Sequence, residues 1–165
     1  MPNFNILPLE KGCDRSTFDC SEAELNEFLK TKARQNQTDG FNRTFIAVHA
    51  SDKKKKVLGY YCLSIASISL EILPAARRSK LPKHPVPCVC IGRLAVDNSV
   101  KGQGLGQTLL VDALKRIKKV SQDAGVYAVI VDAKNTPAVT FYKKYGFESF
   151  EIDQKRLFLP VATIP

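Results

Sequence analysis

The stretch "RLAVDNSVKGQGLGQTLL", Arg93 to Leu110, limits what this chain can fold into more than any other part of it. An apolar segment runs through a short polar turn into glycines at 102, 104 and 106, and then into a helical apolar pattern. "CVCIGRLAV", Cys88 to Val96, is almost unbroken apolar sequence and reads as a strand covered on both faces. Beyond the turn, Leu109, Leu110, Ala113, Leu114, Ile117 and Val120 recur at helical spacing. Lys115, Arg116, Lys118 and Lys119 fall on the opposite face. A buried strand, a bare turn and a helix start together make an anion site. The first helical amides lack partners, the dipole's positive end faces the turn, and glycine lets an oxygen approach the backbone.

Two familiar anion-binding patterns do not fit. A nucleoside triphosphate loop needs GxxxxGK[ST], but Gln107 and Thr108 follow Gly106. A dinucleotide fold needs GxGxxG; Gly106 stands one residue early, and too little chain follows for the rest of that fold. Taken alone, the loop also admits the bland reading of a tight turn.

The rest of the chain mixes helices and strands. In "DCSEAELNEFLKTKARQNQ", Ser21 with Glu24 predicts a capping box, and Leu25, Phe28 and Leu29 mark a buried helix face. "RTFIAVHA" and "VLGYYCLSIASISL" read as antiparallel strands joined by "SDKKKK", where Lys53 to Lys56 form a solvated turn. "EILPAARRSKLPKHPVP" is a proline-rich connector with room for a short helix. "VYAVIVDA" is another buried strand. In "KNTPAVTFYKKYGF", Thr136 ahead of Pro137 predicts a cap and first-turn proline, with Phe141 and Tyr145 on one face and Gly146 as the stop. "FESFEI" and "RLFLPVA" supply closing strands. The alternation in the second half predicts a locally parallel sheet, within one α/β (α+β) domain covering 1–165.

"VKGQGLGQTLL" after "RLAV", followed by "NTPAVTFYKKYGF", resembles the acetyl-coenzyme A signature of the GNAT acetyltransferases. That pattern is [QR]xxGxG[GA], then an Asn, an Ala three residues later and a Tyr four beyond, ahead of Gly-Phe. Asn135, Ala138, Tyr142, Gly146 and Phe147 match it; Lys101 departs from the usual Gln or Arg while keeping a positive charge. "DCSEAELNEFL", "GYYCLS", "VPCVCIGRLAV", "KGQGLG" and "RLFLP" further resemble the bacterial acetyltransferase toxins of the TacT type. The resemblance implies the GNAT fold, a mixed sheet of six to seven strands with about four helices, its central strands splayed around acetyl-CoA. It implies an N-acetyltransferase that acetylates the α-amine of aminoacyl-tRNA, blocks translation and is neutralised by a ribbon-helix-helix antitoxin. Operator DNA reached through the antitoxin complex and a homodimer belong to the same expectation.

On that resemblance, Leu94, Ala95 and Val96 line the pantetheine arm, and Lys101, Gly102, Gln103, Gly104, Leu105 and Gly106 hold the diphosphate. Asn135 also binds the cofactor, and Tyr142 contacts it and protonates the leaving thiolate. Arg77, Arg78 and Arg93 are expected to guide a tRNA acceptor stem through phosphates. A free α-amine titrates near 7.7–8.0 and an ester neighbour lowers it, so a strong base is dispensable; Glu71 and Asp132 are the carboxylate candidates.

Charge agrees with an anionic partner: 25 Lys plus Arg against 16 Asp plus Glu give +9. Acetyl-CoA is itself polyanionic, so part of that excess can serve the cofactor. Cys13, Cys20, Cys62, Cys88 and Cys90 form no CxxC pair, and His49 and His84 no metal motif, so no metal is expected and a reducing cytoplasm is. Cys88 and Cys90 are expected as core residues. No apolar run reaches the length of a membrane span, and the first residues lack the pattern of a leader. Two alternatives stay open: an N-acetyltransferase of a protein or small-molecule amine, and a co-repressor or other binding module.

Overall fold

A computed structural model describes residues 3–165. Two compact units divide the chain, one formed by the residues up to Ser64 with Gly92–Ala113, the other by Ile65–Ile91 with Leu114–Pro165.

In the first unit, β1 (Phe4–Pro8) pairs antiparallel with β2 (Arg43–His49), and β2 with β3 (Gly59–Ile68), in the registers Phe4↔His49 and Arg43↔Leu63. The two expected strands are present; β1 was not foreseen, because five residues ending in proline carry little strand signal of their own. The Lys53–Lys56 run is the predicted turn, its Lys54 and Lys56 amides donating to the Asp52 carboxylate at 2.9 and 3.0 Å. A helical segment runs through α1 (Ala23–Glu27), a wider π turn (Phe28–Lys32) and α2 (Ala33–Thr38). It buries Phe28, Leu29 and Ala33 against Leu9, Phe18, Ile46, Val48 and Tyr60, and Tyr60 Oη donates to the Leu25 carbonyl at 2.7 Å.

The expected capping box does not form. Ser21 lies at φ 71, its hydroxyl donates to Asn98 Oδ1 at 3.1 Å, and the helix starts at Ala23 with no side-chain cap on Glu22. The Asp19 carboxylate takes the Ser21 amide at 2.9 Å and the Asn26 side chain at 3.0 Å, which folds the chain back where the cap would sit.

Gly59 marks the closest approach in this unit. A Cβ there would meet Leu109 Cδ1 at 3.0 Å, the Ala95 carbonyl at 3.1 Å and Leu105 Cδ2 at 3.1 Å. Backbone and two core leucines cannot all give way, so Gly59→Ala is expected to destabilise by about 1–3 kcal/mol. A urea titration measures this as a lowered midpoint at unchanged slope.

In the second unit the strand order is β4 (Val86–Val96), β5 (Ala128–Asp132), β7 (Asp153–Pro160), β6 (Glu148–Phe150). Among the described strands of this unit, β4 and β5 pair in parallel, from Cys88↔Ala128 to Ile91↔Val131, where the ladder ends although β4 continues to Val96. The sheet expected to be locally parallel is otherwise antiparallel in this unit: β7, buried from Leu157 to Pro160, lies between β5 and β6. There Leu157 and Phe158 of β7 are paired on both edges, with β5 and with β6, so their backbone amides and carbonyls are satisfied. The connector holds α3 (Ala75–Arg78). Cys88 is in the core beside Ile130, Phe150 and Phe158, and burial pushes its thiol up to about 11; Cys90 is half-buried.

The helix α4 (Leu105–Asp123) begins in the first unit and ends in the second. Leu109, Leu110, Ala113 and Ile117 are buried as the spacing predicted, but Val120 is 38% exposed, so the apolar stripe stops a turn earlier than read.

Candidate active site

In the first unit the turn has the form its glycines demand. Gly102 and Gly104 both sit at φ +80, where a side chain is strained, and no atom lies within 4 Å of a Cβ built on either. Close packing is therefore not what requires glycine here; the conformation and the open space in front of it are. Gly106 needs no left-handed backbone, since it belongs to the first turn of α4. Thr108 is the first amide of that helix bonded back, to the Gly104 carbonyl at 3.1 Å. The amides from Gly102 to Gln107 meet no backbone carbonyl among the described residues. Such a run of unpaired donors at a helix start fits a diphosphate.

Leu94 and Val96 are half-buried and Ala95 buried in the last residues of β4; Gln103 is exposed and Leu105 buried. Lys101 is exposed, and its Nζ donates to the Cys20 carbonyl at 3.0 Å. Arg93 turns inward: its guanidinium lies 3.7 Å over the Phe28 ring, with one nitrogen 3.9 Å from Cys62 Sγ. The cation is thus half-buried on an aromatic face.

In the second unit Asn135, and not Thr136, caps α5 (Thr136–Lys144), accepting the Ala138 amide on Oδ1 at 2.9 Å. The residue before Thr136 is extended and Thr136 already helical, so the sequence placed the cap one position late. The Asn135 side-chain NH₂ forms no hydrogen bond among the described residues. Tyr142 is 7% exposed, its ring edge-on to Phe141 at 5.2 Å and to Phe147 at 5.4 Å. Gly146 at φ 94 ends the helix, its amide donating to Lys143 and that of Phe147 to Tyr142. None of the described residues hydrogen-bonds the Tyr142 hydroxyl. Burial pushes the phenol up to about 12, with the Cys90 thiol adding to the shift. The phenol therefore stays protonated, with its proton available, through the neutral range.

The carboxylate candidates fare poorly. The Glu71 side chain accepts from the Ser69 hydroxyl, a bond that holds it below the usual range and makes it a weaker base. Asp132 is exposed, 3.7 Å from Arg156 Nε.

Arg77 and Arg78 share α3 but differ in engagement. Arg77 pairs with Glu148 at 2.7 Å. Arg78 donates to the Glu71 carbonyl at 2.9 Å and lines a cavity of about 670 Å³ with Lys83, His84, Ser67 and Ser69. Residues 18–161 match the family model described as an acetyltransferase (GNAT) domain.

This chain belongs to the GNAT acetyltransferase family. It is 32% identical over 146 residues to a tRNA-acetylating toxin of Mycobacterium tuberculosis, covering 88% of this chain and 85% of that protein. Over 168 residues it is 30% identical to a probable toxin TacT of Sinorhizobium fredii, covering 96% and 92%. The solved structure of AtaT complexed with acetyl-methionyl-tRNAfMet superposes with a TM-score of 0.91 at 32% identity, covering 98% of this chain and 97% of that one. Other solved relatives of similar identity are AtaTR bound with AcCoA, AtaT bound to the C-terminus of its antitoxin AtaR, and a KacTA–DNA complex. The GNAT fold expected from the sequence is therefore the fold of this chain. Among the described residues no cluster of His, Cys, Asp and Glu could hold a metal ion, and no helix is long and apolar enough to cross a membrane.

Sequence reasoning passed over Asp97 and Asp19. Asp97-x-Ser99 is a local Asx-turn pattern that could have been noticed; nothing in the sequence marks its link to Asp19.

Proposed function

We propose that residues 1–165 act as a single acetyltransferase domain that moves an acetyl group from acetyl-CoA to the α-amine of aminoacyl-tRNA in the cytoplasm. Translation then stops, and a ribbon-helix-helix antitoxin neutralises the protein and brings it to operator DNA. One observation carries the acyl-transfer chemistry: the unpaired amides from Gly102 to Gln107, facing open space behind left-handed Gly102 and Gly104. Full-length likeness to tRNA-acetylating relatives supports the acceptor.

When bound, acetyl-CoA supplies an activated acetyl thioester. Leu94, Ala95 and Val96 offer a strand edge to its pantetheine arm, while Lys101, Gly102, Gln103, Gly104, Leu105 and Gly106 hold the diphosphate and Asn135 adds its side-chain NH₂. The amine attacks unassisted because its own titration leaves much of it neutral near pH 7. Tyr142 Oη would give its proton to the departing sulfur, and the proton the amine nitrogen sheds on forming the amide would restore the phenol directly or through solvent. Arg78, with Lys83 and His84 beside it, and the cations Arg77 and Arg93 attract the RNA backbone.

Incubation with labelled acetyl-CoA and charged total tRNA is expected to place label on the aminoacyl ester. Label on lysine peptides or polyamines, with none on charged tRNA, would replace the acceptor. RNA affinity is expected to fall steeply with salt, and Arg78→Ala to reduce the slope of log K against log salt by about 1. Filter binding between low and moderate ionic strength measures it; an unchanged slope removes Arg78 from the RNA footprint.

A further inference from the structure

The glycine turn has nothing of its own to hold it. Gly102 and Gly104 present no side chain, and no atom lies within 4 Å of where one would be. Its position is therefore set by its two ends, α4 on one side and residues 97–101 on the other.

The second end is clasped to a segment far back in the chain. Asp97 is 5% exposed. Its Oδ1 accepts the Asp19 amide at 2.8 Å, and its Oδ2 accepts the Ser99 amide at 3.0 Å and the Ser99 hydroxyl at 2.5 Å. The backbone answers in the other direction, the Asn98 amide donating to the Asp19 carbonyl at 2.8 Å. Ser21 Oγ reaches Asn98 Oδ1, and Lys101 Nζ reaches the Cys20 carbonyl at 3.0 Å. Asp19 in turn holds left-handed Ser21 and Asn26, so residues 19–26 are themselves locked. Burial opposes the charge on Asp97, but the Ser99 hydroxyl and the Asp19 and Ser99 amides outweigh it and hold the carboxyl below its usual range. The clasp thus works as a carboxylate with donors on both oxygens.

We infer that Asp97 is a positioning residue for coenzyme binding: through Asp19 and Ser99 it anchors the 97–101 turn and so holds the amides of 102–107 ready for a diphosphate. Donors fixed before the ligand arrives lose no ordering entropy on binding. This rests on the coenzyme reading above, and adds to it a residue that touches neither coenzyme nor acceptor.

Asp97→Asn is the informative change. An amide has one acceptor oxygen, so its NH₂ must face either the Asp19 amide or the Ser99 donors, and the clasp opens on that side. In the ligand-free protein, exchange of the Asp19, Asn98 and Ser99 amides, which are hydrogen-bonded in the clasp, is expected to speed up by about tenfold while the core of β5 and β7 stays protected. KM for acetyl-CoA is expected to rise about tenfold with kcat within about twofold, the opposite split from a proton-donor variant. Asp19→Asn, which loosens the far side of the clasp, should give the same pattern more weakly. Unchanged exchange of those clasp amides in both variants would overturn the proposal, and so would equal losses in kcat and kcat/KM. The exchange measurement needs no coenzyme. If wild-type protein fails to bind acetyl-CoA in a calorimeter, the functional reading fails while the clasp is still judged on exchange alone.

Discussion

Replacing Tyr142 by phenylalanine is expected to lower kcat for acetyl transfer by about 10²-fold or more, with acetyl-CoA affinity and thermal stability close to wild type. Among the described residues the hydroxyl has no partner, so deleting it leaves none of their buried donors or acceptors unsatisfied. The ring keeps its edge contacts with Phe141 and Phe147. What is lost is one proton held near the departing sulfur. The pH profile offers a second check. Burial lifts the phenol to about 12, and an acid stops functioning as pH rises through its own pKa. Tyr142 therefore stays protonated across the neutral range, and an alkaline loss of kcat near pH 8 or 9 would belong to another group. Single-turnover rates with titration calorimetry separate chemistry from binding. A phenylalanine variant with full kcat would exclude Tyr142 as the proton donor.

Gly104→Val is expected to abolish coenzyme binding while leaving the protein folded. At φ +80 a β-branched residue costs roughly 1–3 kcal/mol, but its Cβ would strike nothing in the chain, so the cost stays local. A fall in Tm of no more than about 10 °C follows for a chain of this size. The turn must then either keep its left-handed bend, with a side chain standing in front of the amides, or relax to negative φ and turn those amides away. Either outcome removes donors, and acetyl-CoA affinity should weaken by about 10²-fold or more. Gly125→Ala serves as the control, because Gly125 is neither left-handed nor crowded. Equal affinities for the valine variant and wild type would mean that the turn does not hold the diphosphate.

The comparison between these two sites explains what could be read in advance. The glycine turn was legible because its requirement is conformational and local: positive φ selects glycine, and a strand before it and a helix after it announce themselves by period. Tyr142 was legible only through its spacing from Asn135, Ala138 and Gly146, since a tyrosine on an apolar helix face is ordinarily a packing residue. The misplaced caps are instructive. At Ser21 the local pattern was a sound capping box, yet Asp19 and Asn98 offered better partners and the backbone went left-handed to meet them. At Thr136 two capping residues stood side by side, and Asn135 took the role.

The arginines show the same limit from the side of function. Their charge could be counted in the sequence, but their engagement could not: Arg77 is paired with Glu148, Arg78 edges a cavity that it shares with Lys83 and Glu71, and Arg93 lies over Phe28. Arg77 and Arg93 find their partners in distant parts of the chain, whereas those of Arg78 lie within the same connector.

By itself, then, the amino-acid sequence determined the elements whose causes lie within a few residues: the buried strand, the bare turn, the amphipathic helix and the family signature they compose. Tertiary structure alone decided that β7 enters between β5 and β6, that Arg93 turns inward, and that Asp97 holds Asp19 across 78 positions of sequence. Periodicity and φ preference act over one or two turns of chain, whereas a hydrogen bond between distant segments depends on where the whole fold brings them, and no local pattern carries that information.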